Sequence, residues 1–153
     1  MKKLMIITSI LLLTIIASAQ TDFSGKWKLN KEKSTMNSEF SMAPVELVIV
    51  QKGNDLSIER VSNFQGQSMT TKENYTLDGK ECVNSGMMDS QKKSVAKFSD
   101  DKKVLTIDSK LPMQDNEIAI KEVLSISGGN LYVESSSNSS FGEMKEKWAF
   151  DKQ

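Results

Sequence analysis

From residue 24 onward the chain breaks into ten short segments, each alternating apolar with polar residues and most cut off by clusters of Gly, Asn, Asp or Ser. Period two is the spacing of a strand with one buried face, because successive side chains on extended backbone point to opposite sides. The segments are 24–30, 43–52, 55–64, 67–77, 81–88, 91–99, 102–110, 116–127, 130–137 and 141–151. Alternation is plainest at Leu56/Ile58, Tyr75/Leu77, Leu105/Ile107, Ile118/Ile120/Leu124/Ile126, Leu131/Val133 and Trp148/Phe150. Connections this short force neighbouring strands to run antiparallel, since parallel pairing needs a crossover of a dozen or more residues. Only residues 31–42 leave room for a short helix, with Asn30 as its N-cap. The expected fold is therefore all-β: an antiparallel up-and-down meander β-barrel of about eight to ten strands, with at most one short helix after the first strand.

The turns divide by the end of the barrel they occupy. With the first strand running up, the lower connections are Lys52-Gly53-Asn54-Asp55, Leu77-Asp78-Gly79-Lys80, Ser99-Asp100-Asp101-Lys102 and Gly128-Gly129-Asn130. These residues tolerate the positive φ of tight hairpins. The upper connections read as longer (31–42, 88–91, 111–115 and 138–141), with Phe64-Gln65-Gly66-Gln67 as the tight one. The looser end is the expected mouth of a cup. Trp27, Trp148 and Phe150 fall toward the other end, where such large rings close the base.

Ahead of the strands, Lys2 and Lys3 precede an apolar run from Leu4 to Ile16, and Ala17-Ser18-Ala19 supplies a small-x-small cleavage pattern. The run is shorter than the ~20 residues a spanning helix needs. Residues 1–19 are thus expected to be a cleaved signal peptide, and 20–153 a single domain in the periplasm or outside the cell. No integral membrane span is expected in the mature chain. Losing Lys2 and Lys3 leaves 18 of the 20 basic residues against 20 acidic ones, a net charge of −2. That balance lacks the concentrated basic face nucleic acid requires, so nucleic acid is not an expected partner. The basic pairs Lys92-Lys93 and Lys102-Lys103 read as solvated edges. Cys82 is the only cysteine, so stability must come from packing without an internal disulfide. A monomer is expected.

The stretch Phe23-Ser24-Gly25-Lys26-Trp27-Lys28-Leu29 resembles the first strand of lipocalins and intracellular fatty-acid-binding proteins, the calycin group. Leu77-Asp78-Gly79-Lys80-Glu81 and Glu146-Lys147-Trp148-Ala149-Phe150-Asp151-Lys152 resemble small exported lipocalin-like proteins of Gram-negative bacteria. The resemblance implies a ligand cavity inside the barrel. Fatty-acid-binding proteins end in an Arg-x-Tyr pair that clamps a carboxylate, whereas the matching positions here are Trp148 and Phe150, which form no clamp. Lipocalins set a basic last-strand residue over the first-strand Trp, which the resemblance assigns to Lys147 or Lys145. Lys147 has the opposite parity to Trp148.

Parity also places polar groups inside. Arg60, the only arginine, shares the face of Leu56 and Ile58; Glu73 shares that of Tyr75; Glu122 shares that of Ile118, Ile120, Leu124 and Ile126. Pairing Phe64 with Gln67 sets Arg60 opposite Thr71 and diagonal to Glu73. Buried charges need partners, so Arg60, Glu73 and Glu122, with Tyr75, are expected to cluster and to orient the polar end of a ligand. An internal ion pair with no ligand role is the structural alternative. Seven methionines (Met36, Met42, Met69, Met87, Met88, Met113 and Met144) map to the upper end, an adaptable apolar rim for the mouth. Thioethers also suit Cu(I), and scattered loop packing would give the same pattern.

The chain has no histidine, which removes imidazole catalysis and most zinc sites. Nucleophile elbows, phosphate loops and dinucleotide fingerprints are absent too. No metal and no cofactor are expected. These features point to a non-catalytic protein binding a small hydrophobic or amphipathic molecule in its barrel cavity. The alternatives are a protein- or glycan-interaction module with a side-chain-filled barrel, and a hydrolase-like activity using Glu73 and Glu122.

Overall fold

The alternation is realised as ten strands: β1 (Gly25–Leu29), β2 (Glu46–Lys52), β3 (Asp55–Phe64), β4 (Gln67–Thr76), β5 (Asp78–Ser85), β6 (Gln91–Phe98), β7 (Leu105–Met113), β8 (Asn116–Ser127), β9 (Asn130–Ser139) and β10 (Gly142–Lys152). The computed structural model describes residues 19–37, 40–64, 66–86, 90–113, 116–140 and 142–153. The expected signal peptide up to Ser18, and Met87 and Met88, lie outside the described residues. Every pairing is antiparallel, and the strands follow one another in the order β4-β3-β2-β1-β10-β9-β8-β7-β6-β5. Chain order thus becomes a meander rolled up so that β10 returns to β1, with β4 and β5 as the two free edges. Among the described residues, no helix is long and apolar enough to cross a membrane.

The two edges face each other across a gap that side chains bridge. The Asn84 amide on β5 accepts from the Asn74 N–H at 2.8 Å and donates to the Asn74 carbonyl at 3.0 Å. One carboxamide thereby replaces a rung of the missing ladder. Two residues on, the Thr76 N–H points to the Cys82 thiol at 3.2 Å. An exposed edge is a template for unwanted pairing, and this closure blunts it.

The base is sealed from below. Residues 19–24 run under the barrel, held where the Thr21 N–H meets the Lys102 carbonyl and where the Gln51 amide bonds Thr21 and Phe23. The Phe23 ring then packs on Phe98 at 5.9 Å between centroids. Trp27 donates its indole N–H to the Phe23 carbonyl, and Lys152 lies over its ring at 5.4 Å. The basic partner of Trp27 is therefore Lys152, not Lys147 or Lys145: β1 pairs Trp27 with Lys152, while Lys147 faces outward over Tyr132. Gly25 leaves the lysine room, since a Cβ there would stand 3.0 Å from the end of the Lys152 side chain and displace it slightly. Trp148 and Phe150 join the same core as Phe23 and Trp27.

Three expectations change. Residues 31–37 form no helix but a single turn capped by the Asn30 side chain on Lys33, after which Thr35 makes a two-way bridge with Lys147 of β10. The seventh strand begins at Leu105, because Lys102 takes a positive φ of 57° and the turn spends Ser99–Val104 on its own hydrogen bonds. The upper connections are also shorter than expected: β7–β8 and β9–β10 leave two residues each. Pro112 sits within β7 beyond its last rung with β6, so its missing N–H deprives no neighbour on that side. Loop length therefore does not mark the mouth.

The Asn84 closure has a measurable consequence. Asn84→Ala is expected to cost about 1–2 kcal/mol in urea unfolding and to speed hydrogen exchange at the Asn74 amide. Unchanged exchange at Asn74 would show that the side chain does not close the edge.

Candidate functional site

Register sorts the inward residues of β6–β10 into cross-strand rows. The lower rows are Phe98–Leu105–Leu124–Val133–Trp148 and Ile126–Leu131–Phe150, joined by Leu29 of β1. Leu105, Leu124, Leu131, Val133, Trp148 and Phe150 are only 0–3 % exposed. Above them comes Ala96–Ile107–Glu122–Ser135–Glu146, and above that Ser94–Ser109–Ile120–Ser137–Met144. Along this series large apolar side chains give way to charges and then to serines. Ser135, Ser137, Ile118, Ile120 and Met144 are all half-buried. The lower rows are apolar and mostly buried, while the upper wall is more polar and mixed: Ser94, Ser109 and Leu111 are buried and the five residues just named are half-exposed.

At the boundary lies one ionic network. Arg60 reaches from β3 across the barrel to β8, where Nη1 and Nη2 donate to the two Glu122 oxygens at 3.0 and 2.7 Å. Its Nε donates to Glu73 at 3.1 Å. The same Glu73 oxygen accepts from the Tyr75 hydroxyl at 2.8 Å, and the other accepts from the Lys92 ammonium. A two-pronged guanidinium–carboxylate contact is the strongest form of such a bond, and it fixes the fork in space. Only 14 % of the Arg60 side chain and 12 % of that of Lys92 are exposed.

Sequence parity places Arg60, Glu73, Tyr75 and Glu122 together, and the structure shows them in mutual contact. Two inward charges were not foreseen, one within the network and one beside it. Lys92, expected as part of a solvated pair, turns inward, while Lys93 alone faces out toward Glu81. Glu146 shares the parity of Trp148 and Phe150, a signal present in the sequence. It is buried and accepts the backbone N–H groups of Asn37 and Met42 and the Trp148 indole N–H. That carboxylate pins the β1–β2 connection over the barrel.

Charge settles where the network puts it. Burial works to raise the Glu73 carboxyl, but Arg60, then Lys92 and the Tyr75 hydroxyl outweigh it and hold the group at about 2, against an ordinary 4.5. Burial pushes the Tyr75 phenol well above its usual range, with Glu73 and Glu122 adding to the rise and Arg60 opposing it. Burial works against the Arg60 charge, yet Glu122 first, then Tyr75 and Glu73, keep it cationic above its normal range.

The described methionines stand around the upper end. Met42 and Met69 are 49 % and 55 % exposed, Met36 packs partly against the core, and Met113 and Met144 are half-buried. Concave spaces lie on the outside: about 390 Å3 across β5–β10 among Lys93, Asp108, Lys121 and Glu143, and about 450 Å3 at the β4/β5 gap beside Val50, Asn74 and Cys82. Among the described residues, no group of three or more His, Cys, Asp or Glu side chains could hold a metal ion.

With this geometry in view, comparison with solved structures decides the fold. A zebrafish ileal bile acid-binding protein complexed with cholic acid superposes with a TM-score of 0.57 at 15 % identity, covering 86 % of this chain and 98 % of the other. Two secretory abundant heat soluble proteins of Ramazzottius varieornatus also match. One gives a TM-score of 0.62 at 11 % identity over 89 % of this chain and 98 % of its own. The other gives 0.53 at 14 % identity over 85 % and 94 %. The chain has a calycin-type barrel fold. No protein-family model and no curated protein matches it in sequence.

Glu73 is the buried contributor to the acid response of this calycin-type barrel, beside the surface carboxylates Asp22, Asp78, Asp101 and Asp151, which are also lowered. Its carboxylate is worth most to the folded state above its ordinary value of 4.5, and that contribution, on the order of 3 kcal/mol, disappears as pH falls toward 2. Urea midpoints should be level above about pH 5 and drop below it. Glu73→Gln should flatten that acid limb while lowering stability at neutral pH, because Arg60 and Lys92 then lack a counter-charge. An unaltered acid limb in the variant would refute the assignment.

Proposed function

We propose that this protein is a non-catalytic carrier or sensor that holds a small amphipathic molecule in the upper half of its barrel, outside the cytoplasm. The observation that carries the reading is the vertical division of the interior. Below the ionic network the rows are apolar and mostly buried, whereas above it Ser137, Ile118, Ile120 and Met144 are half-exposed, beside the buried Ser94 and Ser109. A cup with a polar floor, apolar strips on its wall and methionines at its rim suits a ligand with one polar end. The zebrafish neighbour, which has the same fold, is a bile acid-binding protein complexed with cholic acid, and this supports a ligand-binding use of the present barrel.

The network also argues against catalysis. Both carboxylates that would act as an acid–base pair are occupied by cations: Glu122 by the Arg60 fork, and Glu73 by Arg60 and Lys92. These contacts engage the carboxylates in holding the two cations, which favours a structural role over proton transfer. Residence in the periplasm or outside the cell rests on the Lys2/Lys3, Leu4–Ile16 and Ala17-Ser18-Ala19 pattern. The concave, mixed-charge outer face across β5–β10 favours a second reading, a module that binds a protein or glycan there.

Native mass spectrometry of the protein purified gently from its own cells separates these readings. A carrier should show a stoichiometric lipid-like mass, an N-terminus at Gln20, and roughly micromolar binding of the uncharged fluorophore N-phenyl-1-naphthylamine. A clean apo-protein that leaves the fluorophore unbound would move the function to the outer face. An intact Met1 terminus would count against export.

A further inference from the structure

We infer that the cup selects an uncharged ligand, one whose polar end carries hydroxyl or carbonyl oxygens, and disfavours the carboxylate of a free fatty acid. This rests on the carrier reading and specifies its ligand. The floor is already electrically balanced: Arg60 and Lys92 face Glu73 and Glu122, each cation touching a carboxylate. Glu146, in the same cross-strand row as Glu122, adds a third buried acidic side chain whose described partners are N–H groups and not a cation. An incoming carboxylate would give up its hydration and meet no net positive charge in return. It would also sit beside two or three like charges.

The same floor has hydrogen-bonding capacity to spare for a neutral group. Arg60 has five N–H donors, and its described contacts use three. Lys92 has three and uses one. Tyr75 gives its proton to Glu73 and keeps an oxygen lone pair. Ser135, level with Glu122, and Ser137, one row up, add half-buried hydroxyls. Donors without net charge recognise alcohol, ester or ether oxygens, and the half-buried Ile118 and Ile120 accept the chain.

The test is a competition series with matched chains: monoolein, oleic acid and oleylamine, each displacing N-phenyl-1-naphthylamine at about pH 8, where a dispersed carboxylic acid is ionised. Monoolein should bind at least about tenfold tighter than oleic acid. Glu122→Gln, which removes one negative charge from the floor, should shift the preference toward oleic acid by about the same factor. Oleic acid binding as well as or better than monoolein, oleylamine binding best, or a preference unmoved in the variant would each overturn the inference while leaving a carrier. Failure of all three to displace the bound probe would remove the carrier reading itself. The wild-type ranking decides the matter even if the variant does not fold.

Discussion

The guanidinium of Arg60 is the tie on which the interior depends. It spans from β3 to β8, grips Glu122 with both terminal nitrogens and Glu73 with the third, and lies where the apolar lower rows give way to a more polar upper wall. Stripping two charges of water costs several kcal/mol each, and good geometry returns that only when every partner is present. The network meets that condition by recruiting Lys92 to the far oxygen of Glu73 and Tyr75 to the near one. The result is a neutral, hydrogen-bonded plate. Such a plate adds little stability over well-packed hydrophobic residues of equal volume. What it supplies is a polar surface at a fixed height inside an otherwise greasy tube.

Beneath the plate, ordinary packing does the holding. Phe23, Trp27, Trp148 and Phe150 share one core, and each large ring removes a great deal of apolar surface from water. Trp27 is fixed at both ends, by its N–H to the Phe23 carbonyl and by Lys152 above its face, a placement Gly25 permits. Closure of the wall is separate again and relies on the Asn84 carboxamide at the β4/β5 edges. Base, wall and plate thus use three different interactions, so damage to one need not abolish the others.

Much of this was legible in the chain because long, regular strands keep parity intact. β3, β4 and β8 run ten, ten and twelve residues, and their pairing shows no register shift. An apolar anchor at Leu56, Tyr75 or Leu124 therefore predicts the direction of Arg60, Glu73 and Glu122. Lys92 was hidden for the opposite reason. Its inward neighbours Ser94 and Ala96 are too small to read as a buried face, and adjacent Lys93 makes the pair resemble a surface edge. The upper turns misread because serine, proline and asparagine near Pro112 and Asn138 look like loop, although β7 and β9 carry them within ladders. The turn at Ser99–Val104 displaced a strand because side-chain bonds to Asp101 and Ser99, not φ preferences alone, hold it.

The plate should behave as one electroneutral unit. The direct measurement is equilibrium urea unfolding of Arg60→Met beside a fourfold variant, Arg60→Met/Glu73→Leu/Lys92→Met/Glu122→Leu. The single change should cost about 3–5 kcal/mol by stranding buried carboxylates, and the fourfold change should recover wild-type stability or exceed it. A fourfold variant no more stable than Arg60→Met alone would show that the charges are a structural staple, and would contradict the account.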